Sequence, residues 1–218
     1  MSERASESWT VEALLGGAPL LFRADERSAI AKSPLPGRVA ITRLGLAGDA
    51  QADRVHHGGP DMAVHLYPLD HHAFWRELLG DHPLLEEPGA FGSNLAVRGL
   101  AEPDHAIGDK FRLGTALLEV SRPRQPCWKI EHRFAARGMV KAILRTGRCG
   151  WYFRVLEEGA AEAGDRLELV ERAADGVSVA RCFAALWGSG SQRDPAELRA
   201  MAALPALAEG LRAQITGA

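Results

Sequence analysis

The sequence predicts a mainly β fold with helices, of the barrel or sandwich type, followed by a small helical unit. Short segments with β-branched or aromatic residues, such as 63–67, 115–120 and 151–155, are separated by Gly and Pro turn signals over the first two thirds of the chain. Many short strands at near-regular spacing are typical of barrels and sandwiches. After about residue 175 the chain is rich in Ala and Leu and has no strand-like alternation. We therefore expect a β domain over 1–174 and a helical appendage over 175–218.

Two turns and two helices are predicted inside the β domain. A Gly-Asp pair stands before strand-like residues at 108–109 and again at 164–165, which predicts the same chain reversal used twice. The range 70–80 begins with an Asp that can cap a helix and ends with a Gly that stops it. A longer helix is predicted over 128–145, with a weak point at Gly138, because its apolar residues recur on one helical face.

Three short helices are predicted in the appendage. The first covers 179–187, the second begins at Asp194-Pro195 and the third begins at Pro205. Asp directly before a Pro at the first helical position is a good start signal. A unit of this size buries little apolar surface alone, so we expect it to pack on the barrel or on another subunit.

The composition is that of an ordinary globular protein, with 46% apolar residues, 25% charged residues and a net charge of −2. No segment approaches the roughly 18 uncharged residues of a membrane span, and no secretory signal is visible at the N-terminus. The three cysteines form no CxxC pair, which argues against a disulfide framework. We expect a cytoplasmic protein with no membrane segment, and a homodimer is left open.

The stretch 122–154 is strongly basic, because it has nine Arg and Lys residues and one acid, Glu131. Such an excess favours an anionic ligand nearby, although arginines solvated on helix faces are the alternative. Arg148, on a glycine turn, and Arg154, which alternates with apolar strand residues, are candidate anion-binding residues. Nucleic acid is disfavoured as a partner because no platform of stacking aromatics accompanies the charges.

A polar loop at 48–60 combines carboxylates, an arginine and two histidines with flexible glycines. Carboxylate and imidazole groups together suit proton transfer or the orientation of polar ligand atoms, which makes Asp53 and His57 candidates for these roles. Gly58 and Gly59 allow the backbone to approach a ligand closely and to direct N–H groups at it. The alternative is a loop whose polar side chains cap turns.

Two further patterns concern anions and metals. In the loop 88–95, Gly92 can expose a backbone amide and Asn94 a side-chain amide, which suits a phosphate or an oxyanion. Six of the eight histidines fall within 56–82. Their spacing matches neither an HExxH pattern nor an HxxxH pair on a helix, so we do not predict a zinc site.

The segment 121–129 predicts a reactive cysteine. Cys127 follows a strand, precedes the helix expected at 128 and lies close to Arg122, Arg124 and Lys129. Each of these features favours the thiolate, which is the nucleophilic and metal-binding form. A thiolate suits molybdenum, copper(I) or iron, and it also suits a persulfide. The alternative is a buried, inert cysteine.

These blocks together resemble the MOSC family, whose domains are related to the C-terminal part of molybdenum cofactor sulfurases, and most closely its YiiM-like bacterial branch. The resemblance covers about residues 30–172, and the helical tail is similar to the three-helix appendage of that branch. The blocks that carry it occur in order at 45–53, 57–61, 89–95, 107–109, 123–127 and 147–152.

The resemblance implies a MOSC-type β-barrel that binds molybdenum cofactor (Mo-pyranopterin), with Cys127 as metal ligand. It also implies the reduction of N-hydroxylated bases or related N-oxygenated compounds, with electrons from a partner redox protein and with Asp53 or His57 moving protons or orienting substrate. The residues that would contact the cofactor are Arg124, Arg148, Arg154, Gly58, Gly59, Gly92 and Asn94.

One departure and two alternatives accompany this reading. The family's Gly-Glu-Asn loop reads Gly92-Ser93-Asn94 here, so a carboxylate is missing from that position. One alternative is a sulfur carrier that holds a persulfide on Cys127, and the other is a carrier that stores or delivers the cofactor without catalysis. No pyridoxal phosphate is predicted, since none of the four lysines has the context of a Schiff base.

Overall fold

The structure is a computed structural model that describes residues 7–50, 58–188 and 194–217. Asp53 and His57 lie outside these residues. The strands of the described part are β1 (Ser8–Gly16), β2 (Leu20–Arg23), β3 (Glu26–Ser28), β4 (Ser33–Pro34), β5 (Val39–Thr42), β6 (Gly45–Leu46), β7 (Val64–Pro68), β8 (Leu95–Val97), β9 (Lys110–Leu113), β10 (Ala116–Pro123), β11 (Trp151–Glu157), β12 (Gly159–Ala161) and β13 (Arg166–Glu171). The helices are α1 (His71–Leu79), α2 (Trp128–Arg133), α3 (Met139–Thr146), α4 (Val179–Trp187), α5 (Pro195–Ala202) and α6 (Glu209–Thr216).

Seven strands close into a barrel. Their order is β13-β9-β10-β11-β7-β8-β1, and β1 pairs again with β13 through Ser8 opposite Glu168 and Thr10 opposite Arg166. All neighbours in this ring are antiparallel except β7 and β8. Closure satisfies the backbone groups that an open sheet would expose at its edges. The predicted barrel is therefore confirmed.

The longest strand pair of the barrel sorts its side chains by alternation. On β11, Trp151, Phe153 and Val155 are buried while Tyr152 and Arg154 are partly exposed, as expected where successive side chains point to opposite faces. In the register of β10 with β11, Arg122 lies opposite Tyr152. Residues that lie directly opposite each other share a face of the sheet. The side chains of Arg122 and Tyr152 therefore both point away from the barrel interior.

The two Gly-Asp turns have the same construction. The Asp109 carboxylate accepts the N–H of Ala106 at 2.9 Å, and the Asp165 carboxylate accepts the N–H of Glu162 at 3.0 Å. In both turns an aspartate side chain satisfies the backbone three residues earlier, which is how Asp stabilises a tight reversal. The prediction of one turn used twice is confirmed.

Two helix predictions were wrong in detail. The helix expected over 128–145 is two helices, α2 and α3, because Ala135 (φ 47°) and Gly138 (φ 84°) have left-handed backbone that a right-handed helix cannot continue. The last helix starts at Glu209 and not at Pro205. Residue 208 is still extended there, and its N–H donates to the carbonyl of Ser121 on β10 at 2.9 Å.

The predicted positions of the other helices are confirmed, but the capping role predicted for Asp70 is not. Helix α1 has Asp70 at its N-cap position, although the Asp70 carboxylate accepts the N–H of Gly99 at 2.8 Å and bonds no N–H of its own helix. Helix α4 covers the predicted range, and the Asp194 carboxylate caps α5 by accepting the N–H of Ala196 at 2.8 Å.

The appendage packs on the barrel. Phe183 of α4, Met201 of α5 and Leu211 of α6 are buried in the same apolar cluster as Val120 and Phe153 of the barrel. Such continuity fits a unit too small to form its own core. No helix within 7–50, 58–188 and 194–217 is long and apolar enough to cross a membrane.

Candidate functional site

A cleft opens beside the barrel where several loops meet. Its walls are the segments 28–32, 49–50, 91–94 and 124–129, together with Met62, His65 and Tyr152. The empty space between these walls is about 640 Å³, a volume that includes space open to solvent.

Arg124 supplies a buried positive charge to the cleft. Its side chain is 6% exposed, and its Nη1 is buried without a hydrogen-bond partner among the described residues. Its backbone N–H is held by the carbonyl of Gly150 at 3.0 Å. Because a buried cation with unsatisfied donors is costly, a site of this kind is built for an anionic or acceptor-rich ligand.

The acid of the cleft is already neutralised. The Asp49 carboxylate pairs with Lys32 Nζ at 2.5 Å and accepts hydrogen bonds from Asn94 Nδ2 at 2.7 Å and from the Gly17 N–H at 3.0 Å. Burial lowers the pKa of Lys32, although Asp49 opposes that effect. Since Asp49 is matched by Lys32, the charge of Arg124 remains for a ligand.

His65 presents a neutral imidazole to the cleft. Its ring is 2% exposed, and its Nδ1 lies 3.1 Å from the carbonyl oxygen of Gly92. Since a carbonyl only accepts, we assign the proton to Nδ1, which leaves Nε2 as an acceptor. Nε2 is buried without a partner in the described part of the chain. Burial first, and then Arg124, hold the pKa of His65 well below its ordinary value.

The glycine-rich loop shapes the cleft rather than offering Asn94 to a ligand. Gly92 has a left-handed backbone (φ 74°), and a Cβ there would come within 2.9 Å of Ile30. The Asn94 side chain is fully used, because Oδ1 accepts the N–H of His65 while Nδ2 bonds Leu15 and Asp49. Asn94 therefore holds β7 and Asp49 in place.

Cys127 differs from the other two cysteines. It caps α2 with extended backbone (φ −135°, ψ 165°), is half-buried and faces the cleft. Cys149 and Cys182 are buried in the core, and burial raises the pKa of both thiols, that of Cys182 to about 12. Such thiols are inert. The distinction between Cys127 and the others follows the sequence-based expectation.

Two predicted arginines lie elsewhere. The guanidinium of Arg148 lies 4.3 Å from the ring centre of Phe74, in a separate cleft on the α1 side. Arg154 is engaged in ion pairs with Asp61 at 2.7 Å and Glu119 at 2.8 Å. Neither residue lines the cleft around Arg124. Their charges were visible in the sequence, but their partners come from distant segments.

The predicted glycines lie just beyond Cys127. Gly58 and Gly59 line a neighbouring groove, and Cys127 lines both that groove and the cleft. The cleft residues that sequence reasoning missed include Lys32, His65 and Tyr152. A signal existed for His65, a histidine within an apolar strand, whereas Lys32 and Tyr152 have no local signal.

Comparison with known proteins identifies the family of both parts of the chain. The model of the MOSC domain family matches residues 53–168, and that of the YiiM-like 3-alpha helix domain matches residues 177–216. The chain belongs to the MOSC family. It is 45% identical to the protein YflK of Bacillus subtilis (strain 168) over 176 aligned residues. These residues are 79% of this chain and 78% of YflK.

Two further relatives extend the comparison. The crystal structure of YiiM from Geobacillus stearothermophilus superposes with a TM-score of 0.81 at 32% identity, over 96% of this chain and 98% of that one. A protein named reductase, from Gibberella moniliformis (strain M3125 / FGSC 7600), is 42% identical over 146 residues, which are 66% of this chain and 26% of the reductase. The resemblance to the YiiM-like branch is confirmed, and one relative carries a reductase name.

Proposed function

We propose that this protein binds molybdenum cofactor in the cleft and reduces N-hydroxylated bases or related N-oxygenated compounds. The observation that carries the proposal is the pair of unsatisfied groups, Arg124 Nη1 and His65 Nε2, in a cleft that also contains Cys127. These groups suit a ligand with an anionic end, a hydrogen-bond donor and a thiophilic metal.

The residues present fit such a cofactor. Arg124 and Lys129 would bind its phosphate, His65 Nε2 would accept from an N–H of the pterin, and the Cys127 thiolate would be the protein ligand of the metal. Within the described residues no three His, Cys, Asp or Glu side chains cluster so as to hold a metal ion. A metal that arrives with sulfur ligands of its own, as in a pterin cofactor, therefore suits this site.

The reaction consumes two electrons and two protons, since R–NHOH + 2e⁻ + 2H⁺ gives R–NH₂ + H₂O. When bound, the cofactor would supply the two-electron chemistry, and a separate redox protein would deliver the electrons. The protein's own contribution is to orient the ligands and to keep charge in a partly buried site, where electrostatic interactions are strong.

The decisive experiment is metal and pterin analysis of protein purified from a host that makes the cofactor. Wild type should contain both, whereas Arg124→Gln should contain about tenfold less of each, because a charge-assisted hydrogen bond contributes roughly 1.5–3 kcal/mol. Arg148→Gln, a surface change outside the cleft, is the matched control and should retain both. Wild type without metal and pterin would overturn the proposal.

A Cys127→Ser variant tests the metal ligand separately. It should lose activity, because the protein ligand of the metal is changed, while metal and pterin, which are bound to each other, stay in equal amounts. If Cys127→Ser keeps full metal and full activity, the assigned ligand is wrong. Wild type that binds the cofactor but reduces no N-hydroxylated purine with an artificial electron donor would instead be a non-catalytic carrier.

A sulfur carrier is the second candidate, and the position of Cys127 on both the cleft and the neighbouring groove favours it. A donor persulfide on one side could transfer its outer sulfur to the Cys127 thiolate and leave as a thiolate, and an acceptor on the other side could then take that sulfur from Cys127. Mass spectrometry after sulfur loading decides: an addition of one sulfur atom to Cys127 supports this function, and an unmodified Cys127 removes it.

A further inference from the structure

The groove on the far side of Cys127 is formed jointly by the barrel and the appendage. Its barrel wall is the segment 58–62 with Arg122, and its outer wall is one side of α6, with Gly210 and Gln214. Met62, Cys127 and Tyr152 line both the groove and the cleft. These three side chains therefore form the wall between the cleft and the groove. Cys127 can be approached from either space.

Arg122 is a residue of this groove with one unsatisfied nitrogen. Its Nε is buried and has no hydrogen-bond partner within residues 7–50, 58–188 and 194–217, and burial lowers its pKa. The nearby acid is Asp61, whose carboxylate is already used by Arg154 and by the N–H of Glu209. Leaving a buried donor unpaired costs about 1–3 kcal/mol, so such a group calls for a ligand or another explanation.

The outer wall is held firmly against the barrel. The N–H of Ala208 donates to the Ser121 carbonyl at 2.9 Å, and the N–H of Glu209 donates to Asp61 at 2.8 Å. Gly210 follows directly, and a Cβ built on it would meet no heavy atom of the described chain within 4 Å. The groove is therefore open in front of α6 while α6 itself is fixed.

The two spaces differ in charge. Among the described residues, Lys32, Arg124 and Lys129 line the cleft with one acid, Asp49, and this excess of positive charge suits a phosphate. Among the described residues the groove has one guanidinium, that of Arg122, which lies opposite Tyr152 in the strand register, and two acids, Asp61 and the exposed Glu209. This balance suits an uncharged planar molecule with an acceptor atom, because a guanidinium donates hydrogen bonds in one plane and a phenol ring offers an apolar face.

We propose that the groove is the substrate subsite: the cofactor occupies the cleft on one side of Cys127, and an uncharged N-hydroxylated base enters from the other side, between Arg122 and α6. Arg122 donates to an acceptor atom of the base, and the appendage forms the outer wall of the substrate site. This inference rests on the proposed function, whose own test is the cofactor content.

The experiment fills the groove without touching the cleft. Gly210→Leu adds a side chain where space is open, and it replaces a poor helix former inside α6, so the fold should be retained. Ala200→Leu, at an exposed position of α5, adds a side chain outside the groove and is the matched control. Arg122→Gln removes the guanidinium and tests the donor.

The readouts are cofactor content, KM and kcat with an N-hydroxylated purine, and the Kd of that purine for the full chain without cofactor. Gly210→Leu and Arg122→Gln should each raise KM and Kd about tenfold or more, as expected for one lost hydrogen bond or a blocked subsite, with unchanged cofactor content. Ala200→Leu should match wild type in all measurements.

Several outcomes would overturn the inference. Unchanged KM and Kd in Gly210→Leu would show that the base does not pass α6, and a loss of cofactor in that variant would assign the groove to the cofactor. Wild type that contains no molybdenum overturns the proposed function but not this inference. The comparison of Kd values without cofactor then still decides whether the groove binds the base. Wild type that fails to bind the purine overturns the inference.

Discussion

The carboxylate of Glu102 accepts the N–H of Gly150 at 2.8 Å, and the carbonyl of Gly150 accepts the N–H of Arg124 at 3.0 Å. The same carboxylate accepts the N–H of Cys149 at 2.9 Å and lies 2.9 Å from Nε2 of His71. Glu102 is 3% exposed. The buried carboxylate of Glu102 therefore fixes the turn at Cys149 and Gly150. The Gly150 carbonyl in this turn then holds the backbone N–H of Arg124.

Glu102→Ala should lower the free energy of unfolding by about 1–3 kcal/mol for each buried N–H left without an acceptor. Glu102→Gln retains one oxygen acceptor and should lose less. Urea denaturation of both variants, followed by tryptophan fluorescence, measures the difference. An alanine variant as stable as wild type would show that the turn does not depend on Glu102.

Acid should destabilise the protein through His65. In the unfolded chain His65 takes up a proton as the pH falls through its ordinary value of 6.5, whereas burial keeps the folded ring neutral well below that value. The unfolded state then binds the additional proton, so stability falls with falling pH by at most about 1.4 kcal/mol per pH unit in that window.

His65→Asn isolates this contribution, because an Asn amide can still donate to the Gly92 carbonyl but does not titrate. The free energy of unfolding of wild type and variant is compared between pH 7.5 and the lowest pH at which both fold, a range of roughly two units. The wild type should show the steeper decline. Burial also lowers the pKa of His72, which adds its own pH dependence in both proteins. The test is therefore the difference between wild type and variant in the slope of the unfolding free energy against pH. Parallel slopes would contradict the prediction.

Thiol labelling of the native protein should modify Cys127 well before the other two cysteines. Cys127 is half-buried, while Cys149 and Cys182 are buried and have raised pKa values. A chromogenic disulfide reagent at pH 8 should therefore report about one rapid equivalent in wild type and none in Cys127→Ser, with all thiols reacting after denaturation. Equal rates for the three cysteines would contradict the assignment of Cys127.

Asp61→Ala should loosen α6 without unfolding the barrel. The Asp61 carboxylate joins Arg154 of β11 to the N–H of Glu209 at the start of α6. Loss of that link leaves α6 held by its apolar contacts and by the Ser121 carbonyl. Hydrogen exchange followed by mass spectrometry should show faster exchange over 208–217 and unchanged exchange over β10. Unchanged exchange of α6 would remove the proposed role of Asp61.

The parts of the fold that local patterns specify were predicted from the sequence. Alternation at 151–155 identified β11, and Asp194-Pro195 identified the start of α5, since both signals depend on neighbouring residues. The start of α6 could not be predicted. It depends on a hydrogen bond from Ala208 to Ser121, a residue on another strand.

The residues of the site were likewise predictable only where the signal was local in the sequence. Its cysteine, Cys127, and its basic neighbour, Arg124, were identified because they stand together in one short segment. Arg148 and Arg154 carry the same charge in the sequence, yet Arg154 is paired with Asp61, 93 residues away, and Arg148 packs on Phe74. A residue type shows that a charge exists and does not show which distant group satisfies it.

The sequence by itself predicted the barrel, the helical appendage and the family, and it placed Cys127 beside Arg124, whereas the reactivity of Cys127 stays a prediction. Only the tertiary structure decided which charges remain for a ligand. Lys32 neutralises Asp49, so Arg124 and His65 keep unsatisfied atoms in the cleft. The physical reason is that burial and pairing arise when distant segments meet, and these two properties determine the cost of leaving a polar group without a partner.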